Sequence, residues 1–142
     1  MPAFRRRAGL LAALLAAGLA FASQGAGTAA ASGADAAAER GARVYERCAA
    51  CHALDADRTG PRHCGLLGRR AGSVPGFPYS PAMRRSRIVW SEVSLDLFLK
   101  APLQALPGTS TGYDGVKDER ERRDLIAYLR AAGNGPRCKP PE

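Results

Sequence analysis

Helical spacing of apolar residues with no alternating strand pattern, one loop of over twenty residues, and the pentapeptide Cys48-Ala49-Ala50-Cys51-His52 together predict an all-α domain. Three to five short helices are expected to wrap around one covalently bound haem. The pentapeptide carries the cofactor. Thiols three residues apart stand one helical turn apart and reach the two vinyl groups of a porphyrin, and the imidazole that follows falls under the iron as an axial ligand. Half of a zinc site is the competing reading, and it needs a second Cys or His pair at matched spacing. Cys64 and Cys138 are isolated instead, and His63 is the only other histidine.

The first residues are subtracted before a core is counted. Arg5, Arg6 and Arg7 precede an unbroken small and apolar run over residues 8–22, and Ala20-Phe21-Ala22 offers a small-x-small cleavage site, which is the pattern of an export signal. The expected cut falls between Ala22 and Ser32. An uncleaved anchor through residues 8–22 is the alternative, although the run is short for a membrane span. In either case the domain lies outside the cytoplasm, in the periplasm. Residues 23–34, rich in Ala, Gly and Ser, read as linker, and residues 35–142 as the domain. Loss of residues 1–22 removes three of the 21 basic residues and none of the 13 acidic ones, so the formal charge falls from +8 to +5. A mildly basic exported domain suits an acidic docking partner or, if the signal stays, the membrane surface. Nucleic acid is not expected as a partner, because the basic residues are scattered among acids rather than striped along one helix.

A first helix is expected from Asp35 towards Cys48, with Val44 and Tyr45 on its apolar side. Gly41, inside it, costs about 1 kcal/mol against Ala, and either close approach of another helix or a frayed first turn accounts for it. Residues 53–76 show no period and carry Gly60-Pro61, Gly65, Gly68, Gly72 and Pro75-Gly76, a loop that needs an apolar surface to pack on. Ser80 caps a helix of at most two turns that has Pro81 at its first position and carries Met83. Ser91 caps the next, where Val93, Leu95, Leu97, Phe98 and Leu99 are apolar nearly all round, so a buried helix is expected until Pro102 stops it. Residues 106–115 are loop again. Asp118 and Glu121 open the last helix in the manner of a capping box, Leu125, Ile126, Tyr128 and Leu129 form its stripe, and Gly133 ends it. So few apolar residues leave a thin core that a haem would complete.

Over residues 35–133 the chain resembles the class I cytochromes c, the small soluble electron carriers of bacteria and mitochondria. Gly41 to Tyr45 is similar to the family's Gly-x-x-Val-Phe, and Cys48, Cys51 and His52 match its thioether and proximal positions. Gly60-Pro61 resembles the turn whose proline carbonyl accepts from the proximal imidazole, which implies that Pro61 orients His52. Gly65 to Gly72 is similar to the Gly-Leu-x-Gly-Arg segment, which places Arg69 beside a haem propionate, with Tyr79 and Trp90 as the other propionate partners. Pro107-Gly108-Thr109 matches the distal loop, and Asp124 to Leu129 the C-terminal helix. The resemblance thus implies a cytochrome c fold, one haem c, and one-electron transfer to redox protein partners, with no substrate transformed.

One departure from the family's pattern bears on the iron. The distal loop of the family reads Pro-Gly-Thr-x-Met, with the methionine sulfur as sixth ligand, and here that position is Thr111, a poor ligand for haem iron. Two function classes follow: an electron carrier, and a five-coordinate haem protein that binds nitric oxide, carbon monoxide or peroxide as a sensor or weak peroxidase. No distal His or Arg in this loop would polarise a peroxide. Met83 is the alternative sixth ligand, since Met1 leaves with the signal. His63 is expected on the proximal side. An oxidising compartment and an even number of remaining cysteines predict a Cys64–Cys138 disulfide.

Overall fold

The structure, a computed structural model, describes residues 25–139. The expected export signal, residues 1–22, and its alternative use as an anchor lie outside the described residues. Five helices follow in order: α1 (Gly25–Tyr45), α2 (Pro81–Arg85), α3 (Glu92–Lys100), α4 (Pro102–Ala105) and α5 (Glu119–Gly133), with a 3₁₀ turn at Pro136–Cys138. The all-α expectation holds. Among the described residues no strand forms, and the only β pairing is an isolated antiparallel bridge between Arg70 and Val89. No helix among them is long and apolar enough to cross a membrane.

α1 begins at Gly25 rather than at the expected Asp35, so the helix runs through most of the stretch read as linker. Alanine, frequent there, has the highest helix propensity, and a composition without amphipathic period hides a helix from a periodicity argument. The other end stops at Tyr45, short of the haem motif. α1 crosses α5 closely, and Gly41 stands at the crossing: a Cβ there would lie 1.9 Å from the Asp124 carbonyl oxygen. Close approach of a helix, and not a frayed turn, is therefore why Gly occupies this position. Val44 and Tyr45 meet Leu125, Ile126 and Leu129 there in the buried core. Burial of each such side chain contributes about 1.5–3 kcal/mol relative to exposure, which holds the crossing together. Arg40 donates two hydrogen bonds to the Asp124 carboxylate across it, at 2.7 and 2.8 Å.

The caps follow the sequence, with one exchange. Ser80 accepts from Met83 N at the start of α2, and Asp118 accepts from Glu121 N at the start of α5. The reciprocal capping box, however, belongs to α3, where Ser91 and Ser94 exchange bonds. Pro102 does stop α3, and it also opens α4, because a missing N–H costs nothing in a first turn.

The expectation that α3 is buried all round is corrected. Only Leu95 is fully buried, whereas Val93 and Leu97 are 72% and 60% exposed. The domain is too small to cover both faces of a third long helix, so α3 packs one side on α5 and α4 and leaves the other in water. Among the described residues α2 packs on no other helix.

Arg122 joins α5 to α3 and to the segment that leads into α5. Its buried guanidinium donates to Asp96 on α3 at 2.7 Å and to the carbonyls of Val116 and Lys117 at 3.1 and 2.9 Å. The end of the distal loop is pinned further by Val116 N donating to Leu99 O at 2.8 Å.

Candidate haem-binding site

The haem motif forms one helical turn just past α1. Cys48 N donates to Tyr45 O at 2.8 Å, Cys51 N to Cys48 O at 3.1 Å, and His52 N to Cys48 O at 2.9 Å. This turn brings both thiols and the imidazole together on one short segment. Cys48 and Cys51 are unpaired, the first half-buried beside the core and the second exposed. Burial pushes the Cys48 thiol up.

His52 Nδ1 lies 2.8 Å from the Pro61 carbonyl oxygen. A carbonyl only accepts, so Nδ1 must carry the proton and Nε2 keeps its lone pair for a metal. Gly60 packs against the same ring: a Cβ there would stand 2.2 to 2.6 Å from Cε1, Nε2 and Nδ1. Only glycine fits. Behind His52 lies His63, its ring stacked at 4.3 Å between centroids with 23° between the planes. His63 Nδ1 is 3.2 Å from the Tyr45 hydroxyl. Burial, with His52 and Arg69 adding, lowers the His63 imidazole to about 3, so it is neutral at physiological pH. Burial also pushes the Tyr45 phenol up to about 12.

Of the expected propionate partners, Arg69 and Trp90 are joined through the backbone. Trp90 N donates to Arg69 O at 3.0 Å, and Gly68 N to Trp90 O at 2.8 Å. Trp90 is buried with its ring edge-on to Phe98. The Arg69 guanidinium donates to the carbonyls of Cys64 and Arg62 at 2.9 and 2.8 Å. Burial lowers its pKa and raises that of Tyr79, and each group senses the other's charge. On the other side, Met83 is half-buried against the core, and α2 touches the distal loop, where a Cβ on Gly108 would meet Ala82 Cβ at 3.2 Å. Thr111 is half-buried, with Tyr113 N donating weakly to its hydroxyl at 3.4 Å.

The residues present fit a covalent haem. Two unpaired thiols directly precede an imidazole whose tautomer leaves Nε2 free, and half-buried Leu67, Met83, Ile88, Phe98 and Leu99 line the edge of the core that Cys48 also joins. A zinc site finds no support, because no group of three or more His, Cys, Asp or Glu among the described residues is placed to hold a metal ion. Cys64 and Cys138 come together with Cα atoms 5.2 Å apart and sulfurs at bonding distance.

Sequence reasoning missed the stack of His63 on His52, the seat of Gly60 and the tie from Arg122. Gly60 had a signal in the Gly-Pro pair. The other two depend on which loops meet, and nothing local reveals that.

The cytochrome c family model matches residues 38–133, and the chain belongs to that family. Its members carry one covalently attached haem c and are electron carriers rather than enzymes. Among relatives, cytochrome c of Euglena viridis is 41% identical over 96 residues, covering 66% of this chain and 94% of that one. Cytochrome c2 of Rhodoplanes tepidamans is 38% identical over 98 residues, covering 67% and 92%. Among solved structures, cytochrome cH from Methylobacterium extorquens superposes with a TM-score of 0.64 at 32% identity, covering 66% of this chain and 96% of that one.

Proposed function

We propose that the chain is an exported, periplasmic one-electron carrier in which Cys48 and Cys51 hold haem c by thioether bonds and His52 Nε2 ligates the iron. The single observation that carries this is the 2.8 Å bond from His52 Nδ1 to the Pro61 carbonyl beside two unpaired thiols. Haem supplies the ferrous–ferric couple, and the remaining work falls to the chain. Pro61 makes the proximal imidazole a better donor by taking its other proton into a hydrogen bond. Arg69, Tyr79 and Trp90 receive the buried propionate, since a carboxylate in an apolar crevice must be paired or hydrogen-bonded. The formal +5 of the exported form steers it to an acidic surface on its redox partner. The oxidising compartment closes the Cys64–Cys138 disulfide.

Thr111 favours a second reading, in which the sixth position takes water or a small outside ligand such as carbon monoxide or nitric oxide. Met83 is the alternative protein ligand, as the only methionine besides Met1. Spectra of the purified protein in both oxidation states, with and without carbon monoxide, separate these. A low-spin spectrum indifferent to the gas supports the carrier and removes the ligand-binding reading, whereas a high-spin spectrum that shifts reverses the choice. A near-infrared thioether band that Met83→Leu abolishes assigns the sixth ligand to Met83.

A further inference from the structure

The structure assigns to His63 a positioning role: held by the Tyr45 hydroxyl, its ring fixes the rotation of the His52 imidazole about its Cβ–Cγ bond. This rests on His52 being the iron ligand. Turning about that bond swings Nδ1 off the Pro61 oxygen, so Pro61 restrains the His52 ring at its Nδ1 edge, while the face of the ring is left to what packs on it. A nearly parallel ring at 4.3 Å, 23° off coplanar, resists that rotation because turning His52 drives its edge into the neighbour. Gly60 confines the ring further.

His63 itself has little freedom. Its N–H is shared between Ala53 O and Leu54 O at 3.1 and 2.9 Å, Leu66 N donates to its carbonyl at 3.0 Å, and the following Cys64 N donates to Leu54 O at 2.6 Å. The next turn is tied to the end of α5 by Gly65 N donating to Gly133 O at 3.1 Å and by the contact of Cys64 with Cys138. An apolar side chain would fill this space without a partner. An imidazole needs one when enclosed, and the hydroxyl of the buried Tyr45 stands 3.2 Å from Nδ1 and restrains the His63 ring at that edge. The core of α1 is thereby connected to the iron ligand through two rings.

The test uses the holoprotein and compares His63→Leu, His63→Phe, Tyr45→Phe and the double variant Tyr45→Phe/His63→Leu. Ferric haem-methyl proton resonances, which report the angle of the axial ring, and the reduction potential are the readouts. His63→Leu is expected to shift both, and His63→Phe, which keeps a ring in place, to return the resonances towards wild type. Tyr45→Phe is expected to shift the resonances when His63 is present and to add nothing to His63→Leu, as coupled residues do. If His63→Leu does not fold, Tyr45→Phe alone carries the same test. Unchanged resonances and potential in the folded variants, whatever happens to stability, overturn the role. His52→Ala is measured alongside: an unchanged spectrum there refutes His52 as ligand, a failure distinct from that of His63.

Discussion

Replacing Gly41 with alanine sets two effects of opposite sign against each other. Alanine in a helix interior is favoured over glycine by about 1 kcal/mol, so an isolated α1 would gain from Gly41→Ala. In the folded protein the added Cβ would lie 1.9 Å from the Asp124 carbonyl oxygen, 2.5 Å from its carbon and 2.8 Å from Tyr128 Cβ. Two of those atoms are backbone in the middle of α5, which cannot rotate aside. The helices must part by about 1.5 Å to restore ordinary contact distance. That loosens Val44 and Tyr45 against Leu125, Ile126 and Leu129 and stretches the paired bonds from Arg40 to Asp124. Overpacking of this kind costs about 1–3 kcal/mol and more where backbone must shift, so the net expectation is a loss of roughly 2 kcal/mol. Urea unfolding of the holoprotein, followed through Trp90, the single tryptophan, would show a midpoint lower by about 1 M at a slope of about 2 kcal/mol/M. A midpoint equal to wild type or higher would mean that only the propensity gain is felt, and that α1 and α5 do not meet at Gly41.

Gly60→Ala places a methyl 2.2 Å from His52 Cε1; the protein is expected to lose most of its haem-loaded yield, or its Soret band to change position, and a normal holoprotein spectrum would contradict the seat of the imidazole. Thiol titration of denatured, unreduced holoprotein should find no reactive thiol, as the proposed Cys64–Cys138 bridge and thioether attachment of the other two cysteines require; closure of that loop would contribute up to about 4 kcal/mol in the chain-entropy model, and two reactive thiols would refute the bridge. The Tyr45 phenol is raised to about 12 by burial, above its unfolded value of about 10. Its contribution to stability is therefore complete below pH about 10 and lost as pH rises to about 12. Tyr45→Phe should remove that part of the alkaline decline in unfolding free energy, and an unaltered pH profile in the variant would count against the burial of this phenol.

The haem motif, the caps at Ser80, Ser91 and Asp118, and the apolar stripe of α5 were legible because each is a local pattern. A thiol spacing, a capping hydroxyl and a 3.6-residue period act within one or two turns, so neighbours in sequence are neighbours in space. The cysteine count singled out Cys64 and Cys138, and the fold brings their Cα atoms to 5.2 Å of one another. What the residues themselves left open was settled by tertiary contact. Gly41 admitted two readings until α5 was seen against it. The apolar circumference of α3 suggested burial, yet Val93 and Leu97 face water, because burial depends on how much surface the rest of a small domain has to offer. His63 could be placed on the proximal side from its turn, where it does lie, but its stack on His52 and its bond to Tyr45 join separate segments, and loops that meet through the closing of a fold share no period and no spacing in the chain.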